Sequence, residues 1–556
     1  MHRLFAVLLV LVAVTNGRLS VYHRHQKHLS LRSARYRISP LTGVRIALPT
    51  PEQLEWQAQE IGVLIHFNMA TYVDDHDGCT GDMVPSISLF NPYKLSTNNW
   101  AQTMIDLGAK YAVLVAKTGV RIALPTPEQL EWQAQEIGVL IHFNMATYVD
   151  DHDGCTGDMV PSISLFNPYK LSTNNWAQTM IDLGAKYAVL VAKHACGFLM
   201  APTNVTFPLS PSGRIIPYNY TVDYSPVKGV NVLDNFVKSC NKQNIRHGFY
   251  YTVVNNDYLN VKQGLVQNTT LKKGQLNITQ QTYDSIVLQQ LRELWTNYGK
   301  LDEIWFDGGY TAELHDSVAA LVNELQADSI IFGGYGVTRN PIRWIGNEFG
   351  HAPDPTWSTG LEGGGDPNSP IFIPAECDTT LQQFDRWFWG PHVLLRSLTE
   401  LIDVYHRSVG HNCMLMIDLT PDRTGLIPSA YARRYKELGD FIRACYGTSV
   451  VPIYRNSSAD GRIHFQVFDS PVTVDRSVVQ EDQTLGQVIR AYSIDVQLAD
   501  SSNKDQWKSV ASGTSIGNKK IDLWQAGSQM ITAARLNITE TVDVSVLKAF
   551  TVHLCS

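Results

Sequence analysis

The sequence predicts an α/β protein: a (β/α)8, TIM-like barrel followed by a C-terminal antiparallel β-sandwich. Two observations carry that expectation. Short apolar strands alternate with amphipathic helical segments through most of the chain, and beyond Val451 the pattern changes to short β-rich segments between polar turns. No Gly-x-Gly-x-x-Gly follows the first strand, which argues for a barrel over a doubly wound dinucleotide fold.

Residues 1–17 read as a secretory signal peptide. Arg3 supplies the positive start, Leu4 to Val14 is apolar, and Thr15, Asn16 and Gly17 follow. That run is too short to span a hydrocarbon core of ~30 Å. The mature chain should then be a secreted or lysosomal protein with no membrane association. Six N-glycan acceptor tripeptides agree, at Asn204, Asn219, Asn268, Asn277, Asn456 and Asn537. The eight cysteines are widely spaced and lack paired zinc-ligand motifs, so disulfides are expected rather than metal.

Thr42 to Lys117 recurs without one difference as Thr118 to Lys193, a shift of 118 − 42 = 76 residues. Solenoid repeats drift and come in threes or more, so an exon duplication or a gene-model error explains the pair better. Each copy has the strand–helix–strand pattern of a βαβ unit. Only the second runs on directly into His194. The barrel is therefore assigned to residues 118–449, with 42–117 a passenger and 450–556 the sandwich.

Within the barrel, Gly138–Phe143 and Tyr187–Lys193 read as strands flanking a helical Leu171–Leu183. Ile245–Val253 is a third strand, Tyr283–Tyr298 a helix, and Glu303–Phe306 a strand. Ala312–Gln326 is helical and Ser329–Phe332 a strand. Pro391–His406 is helical, Cys413–Asp418 a strand, and Pro428–Cys445 the last helix.

The overall charge is −7, from 45 basic and 52 acidic residues, so a nucleic-acid partner is not expected. With 44% hydrophobic and 17% charged residues the chain is not of the disordered class. In a barrel the chemistry sits at the C-terminal ends of the strands. Polar residues stand at four such ends: His142, Lys193-His194, Tyr250-Tyr251, and Trp305-Phe306-Asp307-Gly308-Gly309. An isolated Asp-Gly is more often a turn, but Asp307 aligns with the other strand-end groups. Glycoside hydrolysis needs a second carboxyl group. Glu348, Glu362 and Glu376 follow Asp307, and Glu362 lies in a glycine run better read as a loop. That run lacks the Lys and Ser/Thr of a phosphate cradle.

The strings GVLIHF, AKYAVLVAKHACGF, GFYYT, QLRELWTNYGKLDEIWFDGGY, RWIGNEFG and PAECD, in that order, resemble the α-L-fucosidases of glycoside hydrolase family 29. The likeness runs from about Gly138 to Ser449. It is nearest the branch with plant and bacterial enzymes acting on α-1,3/1,4-linked fucose. The resemblance implies a retaining exo-glycosidase that releases terminal α-L-fucose from a fucosylated glycan, with no cofactor and no metal. It implies Asp307 as nucleophile, Glu348 as acid/base, and His142, His194, Tyr250, Trp305 and Glu376 as substrate-binding residues. One departure stands out: the family's usual Lys-His-His-Asp-Gly-Phe is here Lys193-His194-Ala195-Cys196-Gly197-Phe198. Ala195 cannot supply a second imidazole. The rival expectation is a secreted fucose-binding pseudoenzyme of the same fold.

Overall fold

Eight parallel strands close into a barrel in the computed structural model of this chain. They are β1 (Ile137–Ile141), β2 (Tyr187–Lys193), β3 (Arg246–Tyr251), β4 (Glu303–Phe306), β5 (Ile330–Phe332), β6 (Pro341–Trp344), β7 (Ala375–Thr379) and β8 (Cys413–Asp418). Each pairs with its neighbour in sequence, and β8 closes on β1 through Leu415↔Ile137 to Asp418↔Leu140. The structure describes residues 11–15, 18–22, 36–38, 45–47, 51–66, 70–73, 97–115, 122–150, 155, 157–383, 385–447, 456–458, 461–501 and 506–555.

Both faces of these strands are covered, which is why they read as unbroken apolar runs rather than as alternation. All five residues of β1 and all seven of β2 are buried. Tyr187, Val189 and Val191 of β2 point into the barrel with Tyr250, Trp305, Ile342, Met414 and Met416. Leu190 and Ala192 face the surrounding helices. Helix α1 (Pro127–Gln133) opens with a reciprocal capping box between Thr126 and Gln129, with Pro127 in its first turn. Helix α2 (Thr173–Leu183) buries Trp176, Ala177, Met180 and Leu183, one helical face, and ends at Gly184 in the left-handed region. The longer helices that follow are α3 (Val232–Lys242), α4 (Gln280–Asn297), α5 (His315–Leu325), α6 (Leu398–Arg407) and α7 (Ser429–Tyr446).

Two details differ from the sequence reading. The helix expected from Pro391 begins only at Leu398, where Ser397 and Glu400 form a second capping box. Strands β6 and β7 have only four and five residues and carry Arg343, Glu376 and Asp378, so no apolar run announces them.

The C-terminal segment forms two antiparallel sheets. The larger has the order Asn456–Ser457, Ile463–Val474, Gln529–Thr541, Ile489–Leu498, Lys508–Gly513; the smaller has Lys520–Leu523, Arg476–Glu481, Leu547–His553. Val474, Ile494, Ile531 and Leu536 share one buried core with Val479, Phe550 and Val552 of the other sheet, the layering of a sandwich.

Residues Met1–Val120 form a separate unit from Arg121–Ser556. Of the expected leader, residues 1–10, 16 and 17 lie outside the described residues; Leu11–Thr15 pairs antiparallel with Arg18–Tyr22. In the first copy of the repeat, Gly62–His66 pairs in parallel with Tyr111–Val115 as a two-stranded sheet. The barrel takes β1 and β2 from the second copy.

Disulfides join Cys155 to Cys196, Cys377 to Cys413, and Cys445 to Cys555. The first ties the loop after β1 to the loop after β2, the second ties adjacent strands, and the third ties α7 to the chain's end. Cys240 is a buried thiol, and Cys79 lies outside the described residues. Such bonds persist in oxidising compartments. Among the described residues no helix is long and apolar enough to cross a membrane.

Candidate active site

Asp307 is the first residue past β4, so its carboxylate stands at the mouth of the barrel. Gly308 follows at φ +70°, and a Cβ there would lie 2.6 Å from the Val254 side chain, so the turn that presents Asp307 requires glycine. The Tyr250 hydroxyl donates to Asp307 Oδ2. Burial, then the charges of Asp307 and Glu348, push the Tyr250 phenol far up its range, so it stays a donor. Thr252 Oγ1 donates to the Asp307 backbone oxygen at 3.3 Å.

Beneath the mouth lies an aromatic layer. Trp305 stacks on Tyr250 (centroids 5.2 Å apart, 12° between planes) and on Phe332 (3.9 Å, 16°). Glu376 is fully buried under it: Oε1 accepts from Trp305 Nε1 at 2.8 Å, and Oε2 from the Tyr187 hydroxyl at 3.3 Å. Its carboxyl touches that of Glu303, whose Oε2 accepts from Trp132 Nε1 at 2.9 Å while Oε1 has no donor. Two buried carboxyls side by side repel each other when both are charged. Burial accordingly raises Glu303 and pushes Glu376 up to about 7. Glu376 therefore meets the mouth through Trp305.

His142 follows β1 and His194 follows β2, with ring centroids 6.0 Å apart. His142 Nδ1 is 3.0 Å from Oδ1 of Asp418, the last residue of β8. Burial lowers the histidine and raises the aspartate, each toward its neutral form, and the contact between them fixes the ring. His194 stacks against Tyr250 at 5.6 Å. Phe388 packs edge-on against both imidazoles, at 5.1 Å and 4.9 Å. Lys193 is fully buried, donates to the carbonyls of Thr252 (2.6 Å) and Asn255 (3.3 Å), and lies 4.4 Å from the Tyr251 ring. Burial lowers it to about 7, against the pull of Asp307.

Glu348 is exposed on the loop after β6, and Trp387 Nε1 donates to its Oε2 at 2.9 Å. Asn347 shapes that loop: its Oδ1 accepts the Phe349 amide at 3.1 Å, and its Nδ2 donates to the His351 carbonyl at 2.9 Å. Trp387 also lies 5.0 Å from His142, which brings the Glu348 loop to the histidines. Glu362, by contrast, sits in an exposed loop where its backbone carbonyl accepts the Gly365 amide.

The departure at Ala195-Cys196 has a structural counterpart. Cys196 is spent on the disulfide to Cys155, and the Ala195 carbonyl accepts the Asp257 amide at 2.7 Å. Gly197, at φ +86°, leaves no room for a Cβ beside Asn256. The His194 loop is therefore held by a covalent bond and backbone contacts.

Sequence reasoning passed over Asp418, Trp387, Phe388, Trp344, Asp378 and Glu303. Asp418 could have been found by the rule that found Asp307, as a carboxylate closing an apolar strand. Trp387 and Phe388 belong to a loop, where no periodicity marks function.

Comparison with known proteins bears on the family. The α-L-fucosidase family model matches residues 126–447. The chain is 25% identical over 451 residues to α-L-fucosidase 1 of Arabidopsis thaliana, covering 72% of this chain and 81% of that protein. A Bacteroides thetaiotaomicron crystal structure assigned as an α-L-fucosidase superposes with a TM-score of 0.66 at 26% identity, covering 78% of this chain and all of that one. A family 29 fucosidase of Ruminococcus gnavus, solved in complex with fucose, superposes at 0.65 with 20% identity, over 79% of this chain and 96% of that one, and supports the fold. With more than half of its length matched by the family model, this chain is a member of the α-L-fucosidases, glycoside hydrolase family 29.

Proposed function

We propose that this α-L-fucosidase is a retaining exo-enzyme of the secretory pathway, with Asp307 as nucleophile and Glu348 as acid/base. One observation carries the reading. Two carboxylates at the barrel mouth flank one aromatic cluster: Tyr250 donates to Asp307 and Trp387 donates to Glu348, and both of those rings lie against His142, with centroids 5.9 Å and 5.0 Å away.

In the first step an Asp307 oxygen attacks the anomeric carbon while Glu348 gives its proton to the departing glycosidic oxygen. The product is a β-linked fucosyl ester on Asp307. Water then displaces Asp307, Glu348 takes the water's proton, and fucose leaves with its α configuration restored. His142 and His194 bond the sugar's hydroxyls, and Trp305, with Tyr250 beside it, makes the floor under the ring. Glu376 holds Trp305. The strings RWIGNEFG and PAECD support the branch acting on α-1,3/1,4-linked fucose, and the three disulfides support an oxidising compartment.

Azide separates the two roles. Glu348→Ala should be rescued by azide and yield the α-fucosyl azide, because azide displaces the β-linked ester. Asp307→Gly should yield the β-fucosyl azide, by direct displacement from the substrate. The reverse pattern exchanges the assignments, and failure of both to form any azide product from an activated fucoside removes them.

A further inference from the structure

Strand alternation puts Trp344 on the inner face of β6. Two residues earlier, Ile342 is buried in the barrel interior with Trp305 and Tyr250, while Arg343 between them points outward and donates to the carbonyls of Ile373, Trp357 and Gly363. Trp344 is thus an inward-facing residue at the top of its strand. Yet it is 42% exposed, where Trp305 and Ile342 are 7% and 1% exposed.

The indole is not loose. Its Nε1 donates to Asp378 Oδ1 at 2.7 Å, and Asp378 is itself 3% exposed. A buried carboxyl therefore consumes the only polar atom of the ring and fixes its plane. What remains for a ligand is an apolar face. A rigid, half-open aromatic face next to a reaction centre suits contact with the C–H face of a sugar ring rather than hydrogen bonding.

Position says which ring. Tyr250 lies on β3 and Trp305 on β4, which Asp307, the proposed nucleophile, directly follows. Trp344 is on β6, four residues before Glu348, and its anchor Asp378 feels the charge of Glu348. Phe349, 54% exposed, continues the apolar surface on the same loop, which bridges to Thr379 beside Asp378. The group that receives a proton from Glu348 is the leaving group.

We infer that Trp344, anchored by Asp378, is the platform of a leaving-group subsite that binds a pyranose ring. This deepens the proposed function and rests on its placement of Glu348.

The test compares two substrates in Trp344→Ala, Trp344→Phe and wild type. One is a fucosylated trisaccharide, whose leaving group is a sugar; the other is α-L-fucosyl fluoride, whose leaving group has no ring and needs little acid assistance. Trp344→Ala should lower kcat/KM on the trisaccharide at least about tenfold more than on the fluoride, the scale of one aromatic contact at ~1.4 kcal/mol per tenfold. Trp344→Phe should recover part of that difference. Equal losses on the two substrates would overturn the inference, because they would mean that Trp344 serves the fucosyl ring or the fold alone. Circular dichroism and melting temperature identify a variant that fails to fold; Asp378→Asn, which keeps an acceptor for the indole, then takes its place and should retain the wild-type substrate ratio. A changed ratio in Asp378→Asn with unchanged melting would also count against the anchor. Glu348→Ala with azide is run in parallel. Loss of its rescue with the tenfold difference intact would refute the acid assignment and leave the platform standing.

Discussion

The Tyr250 hydroxyl bonded to Asp307 is the single contact on which the proposed nucleophile most depends. A hydrogen bond to a charged group is worth ~1.5–3 kcal/mol. Tyr250→Phe should therefore cut turnover roughly 10- to 150-fold, with the protein still folded at assay temperature because the ring still stacks on Trp305. Steady-state kinetics beside a thermal melt checks both halves. At this scale the sequence was informative where a polar residue closes an apolar strand, as for His142, His194 and Asp307. It was silent on partners that converge from distant segments. Asp418 meets His142 across a separation of 276 residues, and Trp387 meets Glu348 from a different loop. Nothing in local spacing encodes those meetings.

Elements were legible in proportion to their apolar length. Strands β1, β2 and β8 are buried on both faces and announce themselves, whereas β6 and β7 were hidden by the polar residues they carry inward and outward. The proposed site depends on one of these hidden elements, because the loop after β6 carries Glu348. Asn347 closes that loop with its own amide, so Asn347→Ala should lower kcat/KM about tenfold on substrates that need protonation, on the basis of ~1.5 kcal/mol for freeing the loop. It should change activity far less on the fluoride. Equal effects on the two substrates, measured side by side, would show that the loop does not position the acid. The boundary of α6 teaches a similar lesson: a run of apolar residues suggested an earlier start, but the capping box at Ser397 sets where the helix begins.

For the molecule as a whole, buried acids and bases pull stability in opposite directions with pH. Glu376 rises to about 7 from an unfolded value of ~4.3. Between those values the folded protein holds the extra proton, so this group makes stability fall as pH rises. The buried His142, His247 and His406 are lowered, so they make stability rise over part of the same range. A difference isolates the first effect. The stability of Glu376→Gln relative to wild type should increase from pH 4.5 to 7 and then level off; a flat difference in denaturant midpoints would mean that burial does not raise the Glu376 carboxyl as described. The duplicated block shows how little of burial is local. Leu64 is 58% exposed where its duplicate Leu140 is 1%, and Trp56 is 59% exposed where Trp132 is 1%. Identical residues have opposite environments because only one copy has six other strands to join in a closed barrel. We infer that 42–117 is a passenger. Deleting Thr42–Lys117 should raise soluble yield and leave specific activity per folded molecule unchanged, and a deletion that cannot fold would reverse the assignment.

The Cys155–Cys196 bond reaches further than the two loops it joins. Cys79 stands in the first copy in the same local sequence as Cys155, so two indistinguishable thiols can compete for Cys196 while the chain oxidises. Their contour lengths differ: the native bond closes 41 residues, whereas the rival would close 196 − 79 = 117. Loop-closure entropy favours the shorter ring by ~0.9 kcal/mol, a bias of only about fivefold. Maturation of this enzyme is then a race between two near-equal ring closures, and a thiol-exchange catalyst that lets wrong rings reopen would set how much of the chain becomes active.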